Sequence, residues 1–426
     1  PASPAGPSEV AGSRMARALG RIWFRTRRRE GPSLPPGPCL ILLNHPNGLL
    51  DPLAAAALLD RRAGWLAKAT LWKIAPLRPF LSAFHAIPVT RPKDGGATPE
   101  SIQQSFRKVH EVLARGGSVA MFPEGVSHSE PDLAPLKTGA ARIALSCPTP
   151  LSLIPAGLVY GDRASFRHSA LLRLGEPIPF ADLAGQGAEP AAVTALTARI
   201  RAGLQPLTLH DADARRLALA QDVAWLLAES PGSRVDLDRL RSRVRALVAH
   251  LAPLDEGGLA DLEHRVRAAQ AWLRAKGLRP DQVGHPYAGS EVRRWLPGAL
   301  MRLSAATLLL PLSLPFWPPY RLIGWLAGRF TDEGDQVATL KLLGGILVHP
   351  LWAALLSVLS GLRWGGAAAC LPPAALALVG LGLPTLERAA EDLQAIRGFL
   401  RRRDPAVPEL LEARRQLLSA FPDLQA

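Results

Sequence analysis

One stretch organises the chain: Leu42-Leu43-Asn44-His45-Pro46-Asn47-Gly48-Leu49-Leu50-Asp51-Pro52. The apolar run 39–43 that leads into it predicts a short buried strand, and the Pro, Asn and Gly that follow predict a turn. Asp51 and Pro52 are typical of a helix start, with Asp51 as the N-cap and Pro52 at the first helical position. The stretch therefore predicts a strand, a turn and a helix, with His45 where the strand ends.

Two interpretations of this stretch are open at this point. A loop that doubles back would bring the Asp51 carboxylate to the His45 imidazole, and an imidazole held by a carboxylate can act as a general base. Alternatively, His45 is an ordinary loop histidine and Asp51 only caps the helix. The rest of the chain has to decide between them.

Length and charge narrow the class of protein. The chain has 426 residues, which favours two or three structural units, and a hydrophobic fraction of 48%, which suffices for a core and for membrane segments. Its net charge of +14 favours an anionic partner: nucleic acid, an anionic bilayer surface or a phosphate-bearing substrate. The sequence has no helix-turn-helix, zinc or RNA-binding signature, so membrane and phosphate rank above nucleic acid.

The N-terminal residues 1–38 are predicted to be a disordered lead, a basic helix and a Pro-rich connector. Residues 14–29 combine apolar residues at helical spacing with seven arginines. This pattern fits a helix on a bilayer surface, or equally a helix packed on its own domain with an arginine face in solvent. No secretory signal peptide is expected, because the basic residues run through the segment rather than preceding an apolar core.

Residues 39–189 alternate short apolar runs with helical patterns, which predicts an α/β layer domain. Strands are predicted at 39–43, 86–89, 118–122, 151–157 and 171–174, and helices at 52–60, 76–83, 99–115 and 138–146. In such a domain, functional loops gather at one edge of the sheet.

Three further loops are candidates for that edge. Arg91 follows the second predicted strand, Glu124 and Gly125 follow the third within Phe-Pro-Glu-Gly, and Pro155 lies in a later apolar run. Taken singly, each also fits an ordinary role: a surface arginine, a turn or the end of a strand.

The order of these four loops resembles the four-motif glycerolipid acyltransferases, which transfer a fatty acyl group from a thioester to a glycerol-phosphate hydroxyl. Five residues, 46–50, separate His45 from Asp51 where the usual first motif has four. This spacing resembles the glycerol-3-phosphate/dihydroxyacetone-phosphate acyltransferase branch. The resemblance extends from about 40 to 345, through stretches at 127–128, 135–137, 175–178, 277–283 and 335–341.

The resemblance implies roles for the loop residues. His45 would take the proton of the acceptor hydroxyl and Asp51 would orient it, while the Arg91 guanidinium would grip phosphate. Glu124 would hydrogen-bond acceptor hydroxyls or a neighbouring cation. The backbone N–H of Gly125 would face the anion.

The remaining candidates complete the predicted site. Asn44 and Asn47 are expected to shape the first loop and to contribute to substrate binding. Ser127, Lys137 and Pro155 are further predicted substrate-binding residues. No metal site is expected, since His128 has no matching ligand set, and no cofactor beyond an acyl-CoA or acyl carrier protein co-substrate. There is no GxSxG motif, so direct transfer is simpler than an acyl-enzyme.

The three cysteines are isolated and form no CxxC motif, which fits a reducing compartment. Residues 190–292 predict a helical subdomain, with a partner or regulatory site as the alternative.

Residues 293–386 predict a membrane region. A transmembrane hairpin is expected at 342–383 and a re-entrant or interfacial element at 299–327, because only the first has two stretches of bilayer length. Residues 387–426 form a basic tail, which the positive-inside rule places in the cytoplasm. Three full crossings remain an alternative.

These expectations combine into a multi-pass enzyme of a bacterial-type inner membrane with a cytoplasmic catalytic domain. It would acylate glycerol 3-phosphate or 1-acylglycerol 3-phosphate in phospholipid synthesis. Two alternatives stay open: an acyltransferase for another lysolipid or amino lipid, and a non-catalytic membrane adaptor with the same fold.

Overall fold

The computed structural model divides the chain into two compact units. The first comprises residues 1–210 and 333–339, and the second residues 211–332 and 340–426. The described residues are 7–73, 78–90, 98–128, 132–161, 166–185, 187–208, 214–227, 237–280, 289–331, 334–401, 408, 411–412 and 415.

A seven-stranded mixed sheet forms the centre of the first unit. Its strands are β1 Thr26–Glu30, β2 Cys39–Leu43, β3 Gly64–Lys68, β4 Ala86–Val89, β5 Ser118–Met121, β6 Ser152–Tyr160 and β7 Ser169–Leu174. Their order is β1-β7-β6-β2-β5-β3-β4, and every pair is parallel except β6 with β7. The five predicted strands are present, and the α/β class is confirmed. All five side chains of β2, the central strand, are buried, as its apolar run predicted.

Helices pack on this sheet. They are α1 Pro7–Trp23, α2 Leu50–Leu58, α3 Arg78–Ala83, α4 Pro99–Ala114, α5 Gly139–Leu145 and α6 Pro190–Leu204, with 3-10 turns at Ala69–Lys73 and Gln205–Leu207. Residues of α4, α5 and α6 share one buried core with Leu40 and Leu42 of β2. Helix α6, which the sequence assigned to the helical subdomain, therefore belongs to the sheet core. Thr98 caps α4 through a reciprocal capping box, as its position before Pro99 predicted.

The N-terminal helix lies earlier in the chain than the predicted 14–29 segment, because it begins at Pro7. It ends at Trp23, and the arginine-rich residues that follow form the edge strand β1. An edge strand can carry long charged side chains because their heads reach solvent. Gly20 lies against α2, where an added Cβ would be 2.7 Å from the Ala57 Cβ, while Arg17 and Arg21 are exposed. The helix therefore packs on its own domain through Gly20 and carries these two arginines on its exposed side.

The second unit is helical. Charged helices come first, at α7 Ala214–Leu226, α8 Leu237–Leu251 and α9 Glu256–Lys276, followed by apolar helices at α10 Gly289–Ser313, α11 Trp317–Phe330, α12 Gly334–Trp364 and α13 Leu371–Arg401. Helix α12 begins in the first unit and continues into the second. Within the described residues, three helical stretches are long and apolar enough to cross a membrane: 289–330, 336–364 and 366–401. Their large apolar side chains are mostly exposed, as those of lipid-facing helices are.

One charged cluster lies between the apolar helices α10 and α13. Arg302 donates two hydrogen bonds to Asp392, at 2.7 and 2.9 Å, and Trp295 Nε1 donates a third at 3.1 Å. Farther along α10, Leu309 meets Gly382, so the two helices run antiparallel. The arginine that interrupts the apolar pattern is therefore satisfied by a buried carboxylate.

Candidate active site

His45 and Asp51 meet at the carboxyl end of β2. His45 Nδ1 lies 2.8 Å from Asp51 Oδ2, so the loop between them doubles back, which is the first of the two interpretations of this stretch. The Asp51 side chain is fully buried, whereas 18% of the His45 side chain is exposed. A buried carboxylate thus holds one ring nitrogen, and the other side of the ring can reach a substrate.

The Asp51 carboxylate has a different local role from the one predicted. It is not the N-cap, because α2 begins at Leu50 and its N-cap, Leu49, makes no side-chain capping bond. Instead, Asp51 Oδ2 also accepts the backbone N–H of Asn47 at 2.7 Å, and Oδ1 accepts the hydroxyl of Tyr160 at 2.7 Å. Three donors therefore fix the carboxylate that orients His45.

Tyr160 is a site residue that the sequence did not single out. It lies at the last position of β6, three residues beyond the predicted end of that strand. Its ring stacks on Phe24 with centroids 5.8 Å apart, which aims the hydroxyl at Asp51. Tyr160 reaches Asp51 because β6 lies next to β2 in the sheet, an arrangement that the local sequence does not reveal.

Replacement of Tyr160 by phenylalanine is expected to lower kcat about 10-fold, with KM changed less than twofold, because a hydrogen bond to a charged group is lost while the ring stays. Steady-state kinetics would measure this. The exposed Tyr320, changed to phenylalanine, serves as the matched control. Full kcat in Tyr160→Phe would show that the hydroxyl does not position Asp51.

Glu124 holds the backbone of His45. Its carboxylate is buried: Oε1 accepts the His45 N–H at 2.6 Å, and Oε2 accepts the Ala134 N–H at 2.8 Å and contacts His128 Nε2. The His128 N–H in turn donates to the His45 carbonyl at 3.2 Å. Both oxygens of Glu124 are engaged inside the protein, with the backbone N–H groups of His45 and Ala134 and with the His128 ring, so the carboxylate supports the loop rather than pointing at an acceptor hydroxyl.

The His45 ring is also held by its flat face. It stacks on Phe122 with centroids 4.0 Å apart and planes 12° apart, and Phe122 stacks on Trp65 at 5.9 Å. Together with the Asp51 contact, this stacking leaves the ring one orientation.

A Glu124→Gln variant is expected to lose about 10–100-fold in kcat, because an amide can no longer accept from three donors and sets an N–H₂ group against one of them. Kinetics of Glu124→Gln and of the exposed Glu176→Gln would be compared. Unchanged kcat in the first variant would contradict a role in placing His45.

The two candidate asparagines shape the first loop. The Asn44 side chain bonds both backbone groups of Leu158, donating to its carbonyl at 3.0 Å and accepting its N–H at 2.6 Å. Asn47 is fully buried and gives its N–H to Asp51.

Other predicted residues are placed less directly. Gly125 has a φ of 71°, and its N–H donates to the Phe122 carbonyl at 3.1 Å, so the expectation that this N–H faces an anion is corrected: it closes a turn. Lys137 is exposed and passes over Gly125, where an added Cβ would be 3.3 Å from its Cγ. Ser127 lies half-buried in the same loop.

Pro155 is not brought into the site. Pro155 is buried within β6, paired with Leu42 and packed near Gly175, so its side chain belongs to the core. Arg91 lies outside the described residues.

Two of the three cysteines, Cys39 and Cys147, fit a structural role, whereas Cys370 is exposed. Burial raises the pKa of the Cys39 thiol and of the Cys147 thiol, which keeps both protonated and unreactive at neutral pH. In the part of the chain that the structure describes, no three His, Cys, Asp or Glu side chains are grouped as metal ligands would be.

Known proteins resemble this chain. Residues 25–159 match the family model described as Acyltransferase. Glycerol-3-phosphate O-acyltransferases 1 and 2 of Saccharomyces cerevisiae are each 27% identical over 60% of this chain, which covers 37% and 38% of their lengths. The chain therefore spans less than two-fifths of the length of these relatives.

A solved structure is also similar: the 1-acyl-sn-glycerophosphate acyltransferase PlsC of Thermotoga maritima, 16% identical, covering 46% of this chain and 77% of that one, with a TM-score of 0.33. The family model and the yeast relatives together support a resemblance to the glycerolipid acyltransferases, in the glycerol-3-phosphate acyltransferase branch.

Proposed function

We propose that this protein is a membrane O-acyltransferase that moves a fatty acyl group from a thioester to a hydroxyl of a glycerol-phosphate acceptor. The observation that carries the proposal is the His45–Asp51 pair, a partly exposed imidazole whose Nδ1 is held at 2.8 Å by a fully buried carboxylate. The names of the two yeast relatives support glycerol 3-phosphate as the acceptor class.

The pair supplies general base and then general acid. Asp51 keeps the His45 proton on Nδ1, so Nε2 is free to accept the proton of the acceptor hydroxyl. The hydroxyl oxygen attacks the thioester carbonyl, the C–S bond breaks, and Nε2 returns the proton to the departing thiolate. The products are an ester and a free thiol, and no acyl-enzyme is needed.

The acceptor phosphate would be held by positive side chains beside this base. Arg91 stays the proposed phosphate ligand, since a guanidinium forms two parallel bonds to phosphate oxygens. Lys137 is exposed next to the Phe-Pro-Glu-Gly loop and could add a second positive charge. The donor would be acyl-CoA or an acyl carrier protein.

The site would work at a membrane surface. Three apolar helical stretches of spanning length and their exposed apolar side chains support insertion in a bilayer. We place the acyltransferase unit on the cytoplasmic face of a bacterial-type inner membrane, with α12 and α13 as a two-crossing hairpin turning at Gly365 and the 299–327 segment re-entrant. Exposed Arg17 and Arg21 of α1 could contact anionic headgroups there.

Acceptor assays test the proposal. The full chain, reconstituted in phosphatidylglycerol-containing vesicles, would be given palmitoyl-CoA and radiolabelled glycerol 3-phosphate, 1-acylglycerol 3-phosphate, a lysophosphatidylcholine or an amino lipid. Labelled lysophosphatidic or phosphatidic acid is the expected product. Turnover of only the last two acceptors would favour another lipid, and no turnover with acyl-CoA or acyl carrier protein donors would favour an adaptor.

A further inference from the structure

The first loop of the site is bonded to a residue far along the chain. The backbone N–H of Leu49 donates to Thr339 Oγ1 at 3.0 Å, across 290 positions of sequence. Thr339 lies near the start of α12, in the segment 333–339. This segment belongs to the first unit, although the residues on both sides of it, 211–332 and 340–426, form the second. Ala338, beside it, is completely buried. Two observations besides the bond thus seat this segment in the acyltransferase unit.

The Leu49 N–H that bonds Thr339 lies in the loop between His45 and Asp51, at the start of α2. Leu49 is the N-cap of α2 and stands between His45 and Asp51, directly after Gly48, whose φ is 50°. The first N–H groups of a helix have no partner within that helix and need one outside it. The next two N–H groups find acceptors in the loop itself: Leu50 donates to the Asn47 carbonyl, and Asp51 donates to the Gly48 carbonyl. For Leu49 the partner is Thr339.

We propose that Thr339 is a positioning residue of the acyl-transfer site, acting through Leu49 to hold the loop that brings Asp51 to His45. The proposal rests on the proposed function. It assigns a role to the stretch 335–341, which the sequence singled out and the chemistry of the site left unused. It also means that the working unit extends beyond residues 25–159 to the first turns of α12, a helix that continues into an apolar stretch of membrane-spanning length.

Three full-length variants test this. Thr339→Val keeps the shape of the side chain and removes the acceptor oxygen, whereas Thr339→Ser keeps the oxygen and removes a methyl group. Thr307→Val is the matched control, because the Thr307 hydroxyl bonds only the Leu303 carbonyl of its own helix among the contacts described. Hydrogen–deuterium exchange of peptides that end on either side of Leu49 and kcat with glycerol 3-phosphate and palmitoyl-CoA are measured for each.

In Thr339→Val, hydrogen exchange at the Leu49 amide is expected to become about 10-fold faster, because its acceptor is lost. The value of kcat is expected to fall about 10-fold, with KM changed less than twofold. Thr339→Ser and Thr307→Val should stay within twofold of the parent protein. Parent-like exchange in Thr339→Val, unchanged kcat despite faster exchange, or equal losses in Thr339→Val and Thr339→Ser would each overturn the proposal. If the parent protein does not acylate glycerol 3-phosphate, the proposed function fails, while the exchange measurement still reports whether the bond exists.

Discussion

Replacement of His45 by alanine is expected to lower kcat by about 10²–10⁴-fold, the usual contribution of a positioned general base. The reason is geometric. The His45 ring is fixed by the Asp51 carboxylate on one edge and by Phe122 on its face, so alanine removes the one group whose Nε2 is positioned as the base. Because Glu124 and His128 hold His45 through its backbone groups, the loop should keep its path when the ring is removed.

Steady-state kinetics in vesicles with saturating glycerol 3-phosphate and palmitoyl-CoA would measure this loss. His250→Ala is the control, since His250 bonds a carbonyl of its own helix in the second unit. Circular dichroism would confirm that both variants are folded. Retention of more than a tenth of the parent kcat in His45→Ala would refute the base mechanism.

An Asp51→Asn variant is expected to lose on the order of 10³–10⁴-fold in kcat, although one atom changes. Asp51 accepts from His45, Asn47 and Tyr160 with a carboxylate that is fully buried. An asparagine amide can donate to Nδ1, which would move the His45 proton to Nε2, the atom that must accept one. It also leaves a buried donor without its acceptor.

The measurement is again kcat, with Asp182→Asn as the control. Asp182 is an exposed carboxylate whose pKa is held below its usual range chiefly by the hydrogen bond from Arg199, well removed in role from the His45 pair. Asp51→Asn should have near-normal KM, since Asp51 is buried away from substrate. If its kcat equalled that of the parent, Asp51 would be only a structural residue.

Much of the fold was readable because its signals are local. Runs of apolar residues predicted five strands, and the Thr98-Pro99 start predicted α4. Strands β1 and β3 were missed for a physical reason: edge or near-edge strands tolerate charged and small residues, so they carry no apolar run. In β1 the arginines at 27–29 continued the helical pattern of the preceding residues, but they pair with β7 as a strand at the edge of the sheet.

By itself the sequence determined the strand, turn and helix that carry His45 and Asp51, because six positions of chain are close enough for local geometry to join the two. Only the tertiary structure decided what holds that pair: Glu124 from 79 positions away, Tyr160 from 109 and Thr339 from 290. The first two contacts depend on β2 lying between β5 and β6, and the third on the start of α12 belonging to the first unit. Such partners are set by the packing of distant segments, which leaves no periodic trace in the residues between them.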